Sequence, residues 1–334
     1  MPSKIAELFS LSNADCAIFL TLESVHDPHF YYFTQLGSSQ SNCAVVLHRG
    51  KKPVVLCGPL EYGNLKGNRS FRTILCRNAK EKESRLQETL PQKEWVDVTP
   101  WLGELRETKT AEELKKIREA VNITEETLAK APQFIKLGMR ERELSAQLEF
   151  FGKKAGASEL AFPTICAFGK NSVVPHHSTG NAKLKRRDLV LVDFGLKVEG
   201  YCADLTRTFI FGKPTQKQQF VYEKVFEAKE RATKLVKQGA MAKEVYNAAN
   251  DCIVECFGSG MVHSIGHGLG LEVHDFPTRM GASNERKLEE NMVVTIEPGY
   301  YDPGWGGVRI EDDVLVQKNG CKRLSQAPKE LESI

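Results

Sequence analysis

Long hydrophobic runs are missing from this chain: no stretch of its 334 residues approaches the roughly 20 apolar residues of a membrane-spanning helix. The apolar run around Ala17–Leu20 is too short for a secretory leader, so none is expected. An excess of one charge is missing as well. With 46 basic and 43 acidic residues the formal net charge is +3, which offers no field for nucleic acid or an anionic membrane, and neither partner is expected. Cysteine lacks a pattern: the nine residues are odd in number and scattered, and only Cys252 and Cys256 sit close together, at helical spacing in CIVEC. They read as buried reduced thiols, not as a disulfide framework or zinc site, and set the expectation of a cytoplasmic protein. Internal repeats and low-complexity segments are also lacking. What remains is an ordinary globular composition, 41% hydrophobic and 27% charged, in a chain long enough for two domains.

Two textures meet near residue 107, and the expected domains are residues 1–107 and 108–334. Before the boundary, strand-like runs ("AVVLH", "PVVLC", "RTILC") alternate with turn clusters such as Arg49-Gly50-Lys51, which predicts a small α/β domain. Its charged stretch Lys80–Arg85 reads as a solvated helix face. His26, His29 and His48 are too isolated to be read as ligands. After the boundary, "TKTAEELKKIREAVNITEETLAKA" spaces apolar residues three and four apart, with Thr110 and Glu113 at capping-box spacing. Further helices are expected after Gly138 ("MRERELSAQLEFFGKKAG"), over Gln216–Lys237 and over Ala242–Phe257, with strands between and after them.

The stretch "VDFGLKVEGYCADLTRTF", Val192 to Phe209, reads as a hairpin with an aspartate on each strand. A four-residue loop, Lys197–Gly200, would pair Leu196 with Tyr201 and set Asp193 opposite Asp204. Like charges at such a cross-strand position destabilise a sheet unless something neutralises them. Three further segments carry ligand-type side chains: "HSIGHGLGLEVHD" with His263, His267 and His274, "MVVTIEPGYY" with Glu297, and "GGVRIEDDVLV" with Glu311. "LEVHD" reads as strand. In the last segment, alternation puts Arg309, Glu311 and Asp313 on one face, and Val308, Ile310, Val314 and Val316 largely on the other. If Asp193, Asp204, Glu297 and Glu311 converge, their combined charge matches two divalent cations. Four carboxylates and imidazole, without thiolate, suit manganese, cobalt, iron or zinc in a two-metal hydrolytic centre. The glycines around His267 argue against a helical His-x-x-x-His pair, and the strand-like stretch after them argues against a phosphate loop.

At these residues the chain resembles the pita-bread metallopeptidases, the group of Xaa-Pro dipeptidases (prolidases), Xaa-Pro aminopeptidases and methionine aminopeptidases. The motifs occur in that family's order, and "FPTICAFGKNSVVPHHSTGN" is similar to its prolidase branch. The likeness covers residues 108–325. It implies an α+β pita-bread catalytic domain, with a curved antiparallel sheet, helices outside and metals inside, preceded by a smaller mixed α/β creatinase-type amino-terminal domain. It implies Asp193, Asp204, His267, Glu297 and Glu311 as ligands of two divalent metal ions per subunit, manganese or cobalt first, zinc or iron as alternatives. Asp204 and Glu311 would bridge the ions, and Glu297 would also be the general base. His176 and His274 would stabilise the reacting carbonyl or amide, while His263 and Arg309 would line the substrate end, Arg309 pairing with a substrate carboxylate. His177 is expected to be a neighbour without a role. Phe162, Phe168 and Tyr300 adjoin motifs but are not assigned to the proline pocket. The resemblance further implies a homodimer acting on short proline-containing peptides. The expected activity is Xaa-Pro dipeptidase; the alternatives are an Xaa-Pro aminopeptidase and a non-catalytic binding relative.

Overall fold

A computed structural model describes the chain apart from residues 1, 13, 15, 22–26, 37–42, 91–94, 278 and 327–332, so His26 lies outside the described residues. The chain divides into two compact units, Met1–Arg106 and Glu107–Ile334.

In the first unit the runs read as strands from the sequence become Ala44–His48, Val54–Cys57 and Arg72–Leu75, in a five-stranded sheet with Cys16–Leu20 and Trp95–Asp97. The sheet is mixed: Cys16–Leu20 runs antiparallel to Ala44–His48 and parallel to Trp95–Asp97. Both faces of the central strands are covered, which is why they read as unbroken apolar runs, not alternating ones. The charged stretch falls on the helix Ala79–Thr89, none of whose residues is buried.

The second unit pairs long helices with antiparallel strands. The helix Ala111–Leu128 starts where the sequence says it should: the Thr110 hydroxyl accepts from the Glu113 N–H, and Glu113 Oε2 accepts from the Thr110 N–H at 2.8 Å. The other helices are Ala131–Phe134, Glu141–Lys154, Gln216–Leu235 and Ala242–Phe257. The strands fall into four antiparallel sheets among the described residues. Ile165–Phe168, Leu189–Phe194 and Leu205–Ile210 form one; Val293–Ile296, Asp312–Gln317 and Gly320–Arg323 form another. Gly299–Asp302 pairs with Gly306–Arg309. One face of each set is apolar. Val190, Val192, Phe194 and Leu205 pack with Leu144 and Leu148 of the helix Glu141–Lys154. Val294, Val308, Ile310 and Val314 pack with Val221 and Val245 of the two later helices.

The hairpin register differs from the one expected. Val198 pairs with Tyr201 across a two-residue turn in which Glu199 (φ 45°) and Gly200 (φ 80°) both adopt left-handed backbone. Lys197 and Val198 therefore stay in the strand, and Asp193 faces Thr206, not Asp204. The slip is two residues, an even number, so Asp204 keeps its face and lies diagonally from Asp193. The segment His263–Asp275 is likewise not a strand; it holds only isolated bridges from Gly268 to Asp275 and Val294. Its glycines let backbone meet backbone. A Cβ on Gly266 would lie 1.9 Å from the Thr295 carbonyl oxygen, and one on Gly268 2.0 Å from that of Phe276.

Candidate metal centre and active-site cleft

Every carboxylate picked out in the sequence arrives at one place. Asp193 comes from the central strand Leu189–Phe194, and Asp204 from just before the strand Leu205–Ile210. Glu297 follows Val293–Ile296, and Glu311 sits between Gly306–Arg309 and Asp312–Gln317. Asp193, Asp204, His267, Glu297 and Glu311 all line one cleft of about 1300 Å³. Ligand atoms of Asp204, His267 and Glu311 lie within 4.8 Å of one another. His267 Nε2 stands 3.6 Å from Asp204 Oδ2 and 3.7 Å from Glu297 Oε1.

The electrostatics are lopsided. Asp193 Oδ1, Asp204 Oδ1 and Glu311 Oε1 are buried without a hydrogen-bond partner among the described residues. Burial raises the Asp204 carboxyl far above the usual range, and the charges of Glu311 and Asp193 add to the shift. Burial does the same to Glu311, reinforced by Glu297 and Asp193. Burial pushes Glu297 up to about 8 against the pull of Arg309. His267 goes the other way: burial and then His274 lower it to about 4, so the imidazole is neutral and its free nitrogen can ligate. Buried oxygens with no donor, beside a neutral imidazole, fit divalent cations with oxygen and nitrogen ligands.

One cation of the protein's own enters the cluster. Arg309 Nη2 donates to Asp193 Oδ2 at 2.6 Å, and Arg309 Nε to Thr206 Oγ1 at 3.1 Å. Its Nη1 serves the Pro175 carbonyl at 3.2 Å and the Tyr301 hydroxyl at 2.9 Å. One Nη2 hydrogen is left over, enough for a single contact to a substrate carboxylate but not for a two-pronged one. His263 Nε2 meets the same Tyr301 hydroxyl at 2.9 Å, and burial, then Arg309, lower its pKa to about 4. His176 and His274 also line the cleft, and the His274 ring sits edge-on to His267 with centroids 4.2 Å apart. Burial, then His176, lowers His274. Phe162 lines the cleft, whereas Phe168 is core and Tyr300 stacks on Phe257.

Two contributors escaped the sequence reading. Thr206 donates to Glu311 Oε2 at 2.6 Å, and Tyr301 bridges His263 to Arg309. The signal for Thr206 was its place two residues after Asp204, on the same face; Tyr301 had none beyond its closeness to Glu297.

Residues 115–318 match metallopeptidase family M24. The chain belongs to that family. Among M24-type relatives, an Xaa-Pro dipeptidase of Pyrococcus furiosus is 42% identical over 240 residues, 72% of this chain and 69% of the relative. The solved prolidase of Pyrococcus furiosus superposes with a TM-score of 0.84 at 34% identity, covering 96% of this chain and 99% of that one. The X-Pro aminopeptidase of Thermotoga maritima MSB8 superposes with a TM-score of 0.87 at 28% identity, covering 98% and 100%. The fold of this M24 metallopeptidase is thus that of the prolidases and X-Pro aminopeptidases, and its chemistry is metal-dependent peptide hydrolysis. No helix among the described residues is long and apolar enough to cross a membrane.

Proposed function

We propose that this protein is an Xaa-Pro dipeptidase, hydrolysing the bond before proline in short peptides with two divalent cations per subunit. The observation that carries the reading is the set of buried, donorless carboxylate oxygens beside neutral His267 at the foot of the cleft. Similarity to the Pyrococcus dipeptidase supports the substrate class. Asp193, Asp204, His267, Glu297 and Glu311 would hold the cations, manganese or cobalt before zinc or iron. Bound there, they supply Lewis-acid polarisation of the scissile carbonyl and lower the pKa of water.

The chain's own residues do the rest. Glu297 would take a proton from water at a carboxylate oxygen and deliver it to the departing proline nitrogen. Like any departing amine nitrogen, it must gain a proton as the bond to carbon breaks. His176 and His274 face the same space and donate hydrogen bonds to the oxygen that gains charge. His263 and the remaining Arg309 hydrogen hold the far end of the substrate.

In this reading the amino-terminal unit is the creatinase-type domain of residues 1–107, the catalytic domain is residues 108–334, and the enzyme works as a homodimer in the cytoplasm. Nine free thiols support a reducing compartment. A second reading, Xaa-Pro aminopeptidase, is favoured by the likeness to the Thermotoga structure. The deciding experiment assays chelator-stripped protein, reloaded with manganese, cobalt or zinc, on an Xaa-Pro dipeptide and an Xaa-Pro-Xaa tripeptide. Cleavage of the dipeptide alone is expected. Preference for the tripeptide means the aminopeptidase, and no cleavage despite bound cation overturns both.

A further inference from the structure

Among the side chains around the cleft, one buried carboxylate is fully engaged without being a ligand. Glu141 opens the helix Glu141–Lys154 and has no exposed surface. Its Oε1 accepts from the Phe168 N–H at 2.9 Å and the Asn171 side-chain amide at 2.8 Å. Its Oε2 accepts from the Gly180 N–H at 3.0 Å and from His177 Nε2 at 3.0 Å. An ionised carboxylate only accepts, so Nε2 of His177 carries its hydrogen. All of these donors belong to residues 168–180, the segment that also carries His176.

Inside that segment the chain reverses. The Val174 carbonyl accepts from the His177 N–H at 3.1 Å, which makes Pro175 and His176 the central residues of a β-turn. Proline pre-sets the first of those positions. The Pro175 carbonyl is held by Arg309, which also grips Asp193. The turn is therefore pinned on both sides of His176: on the Pro175 side by the arginine attached to a candidate ligand, on the His177 side by Glu141. The start of the segment is fixed as well, since Ser172 Oγ accepts from the Gly307 N–H at 2.8 Å. His176 itself is exposed to the cleft, and among the described residues no hydrogen bond holds its ring, so the backbone places it.

We propose that Glu141 and His177 are positioning residues that set where the His176 ring meets the reacting carbonyl. His177, whose ring is turned to Glu141, has a role after all, exerted through its neighbour. This inference rests on the peptidase reading of the cleft. The test is a double-mutant cycle in cation-loaded, full-length protein on an Xaa-Pro dipeptide. Since sub-ångström placement governs such contacts, His177→Ala should lower kcat about tenfold with KM changed less than about twofold. In a His176→Ala background the same change should matter less than about twofold, because the group it positions is gone. His177→Gln, which keeps a donor for Glu141, should recover most of the loss, and Glu141→Gln should follow the pattern of His177→Ala. Equal loss in both backgrounds overturns the proposal.

If the wild-type protein cuts no peptide, the reaction assigned above is what fails, and amide hydrogen exchange still decides this point. His177→Ala should speed exchange at the amides of residues 177 and 180, which close the turn and reach Glu141, while leaving the strand Leu189–Phe194 unchanged. No change at the turn, or equal change at both, overturns it.

Discussion

Glu311 and Asp312 are adjacent, equally buried, and chemically almost alike, yet they live in opposite surroundings. Glu311 points into the cleft, where its Oε2 has only the Thr206 hydroxyl and its Oε1 has no donor among the described residues. Asp312 points to the other face. There Arg207 Nη2 donates to Oδ1 at 2.7 Å, Ser325 adds a bond at 2.9 Å, and Lys229 closes on Oδ2. Burial alone would raise Asp312, but Arg207 and Lys229 override it and hold the carboxyl well below the usual range. Burial raises Glu311, and more negative charge drives it further. The difference teaches how to tell structure from function in a buried acid. A carboxylate whose oxygens are all met by built-in cations and donors is part of the scaffold; one with a buried oxygen left over can take a cation from outside. Arg207 joins the two, since its Nη1 also donates to the Glu311 carbonyl and so holds the backbone of that residue.

The largest effect should come from breaking the balanced member. Asp312→Asn leaves Arg207 and Lys229 buried without their counter-charge and should destabilise the protein by about 3–5 kcal/mol. Chemical denaturation should show that loss with and without divalent cation. A small loss would mean that the ion cluster is not part of the scaffold.

Next in size is the unbalanced member. Wild-type protein should gain about 2.7 kcal/mol when cation is supplied at a hundredfold its dissociation constant. Glu311→Gln should melt higher than wild type when cation-free, since the cost of burying an ionisable carboxyl there is gone, yet gain little from added cation. If both proteins gained equally, Glu311 would not be a ligand.

How much of this contrast could be read in advance depended on where the partners lie. The convergence of the candidate ligands on one cleft was legible because each stands beside an apolar strand pattern or a glycine turn, and buried acids in such places demand an explanation. The helices Ala242–Phe257 and Ala111–Leu128 were legible from period and capping alone. The balancing cluster was not. Asp312 meets Lys229 and Arg207 from 83 and 105 residues away, a separation that no local pattern reveals. Glu141 hid the same way, inside "MRERE". The hairpin register failed because a glutamate at positive φ is an unexpected turn residue, and the two-residue turn shifted every cross-strand partner. Only the evenness of the slip kept both aspartates on one face.

The pH dependence should separate the two acids by sign. Glu297 titrates near 8 in the cation-free fold against about 4.5 when unfolded, so its contribution is fully present below pH 4.5 and lost as pH rises through 8. Asp204 and Glu311 act in the same direction. His263 and His267, lowered to about 4, oppose them below pH 6.5, because the unfolded chain takes up their protons first. The clean window is therefore pH 6.5 to 8, where Glu297 by itself should lower cation-free stability by about 1–2 kcal/mol as pH rises, with Asp204 and Glu311 adding to the fall. Asp312 has the opposite sign: its stabilisation is present above about pH 3.8 and is lost only in stronger acid. Melting in chelating buffers across the window checks this. A flat profile would mean that burial does not hold the cleft carboxyls protonated, and Glu297→Gln should make the fall shallower, leaving the share of Asp204 and Glu311.

A third buried acid sharpens the comparison at its weakest end. Glu113 is buried too, but it is satisfied by neutral donors, the Thr110 N–H at 2.8 Å and the Tyr201 hydroxyl at 3.1 Å. If the partner set, not burial, decides what a carboxylate does, Glu113 should behave like neither of the others. A glutamine can still accept from Thr110, as the capping box allows, and the Tyr201 hydroxyl can turn to accept from the new amide. Glu113→Gln should therefore lower stability by less than about 1 kcal/mol and leave the gain from added cation unchanged. A loss as large as that of Asp312→Asn would show that burial alone sets the penalty, and the distinction between balanced and unbalanced acids would lose its basis.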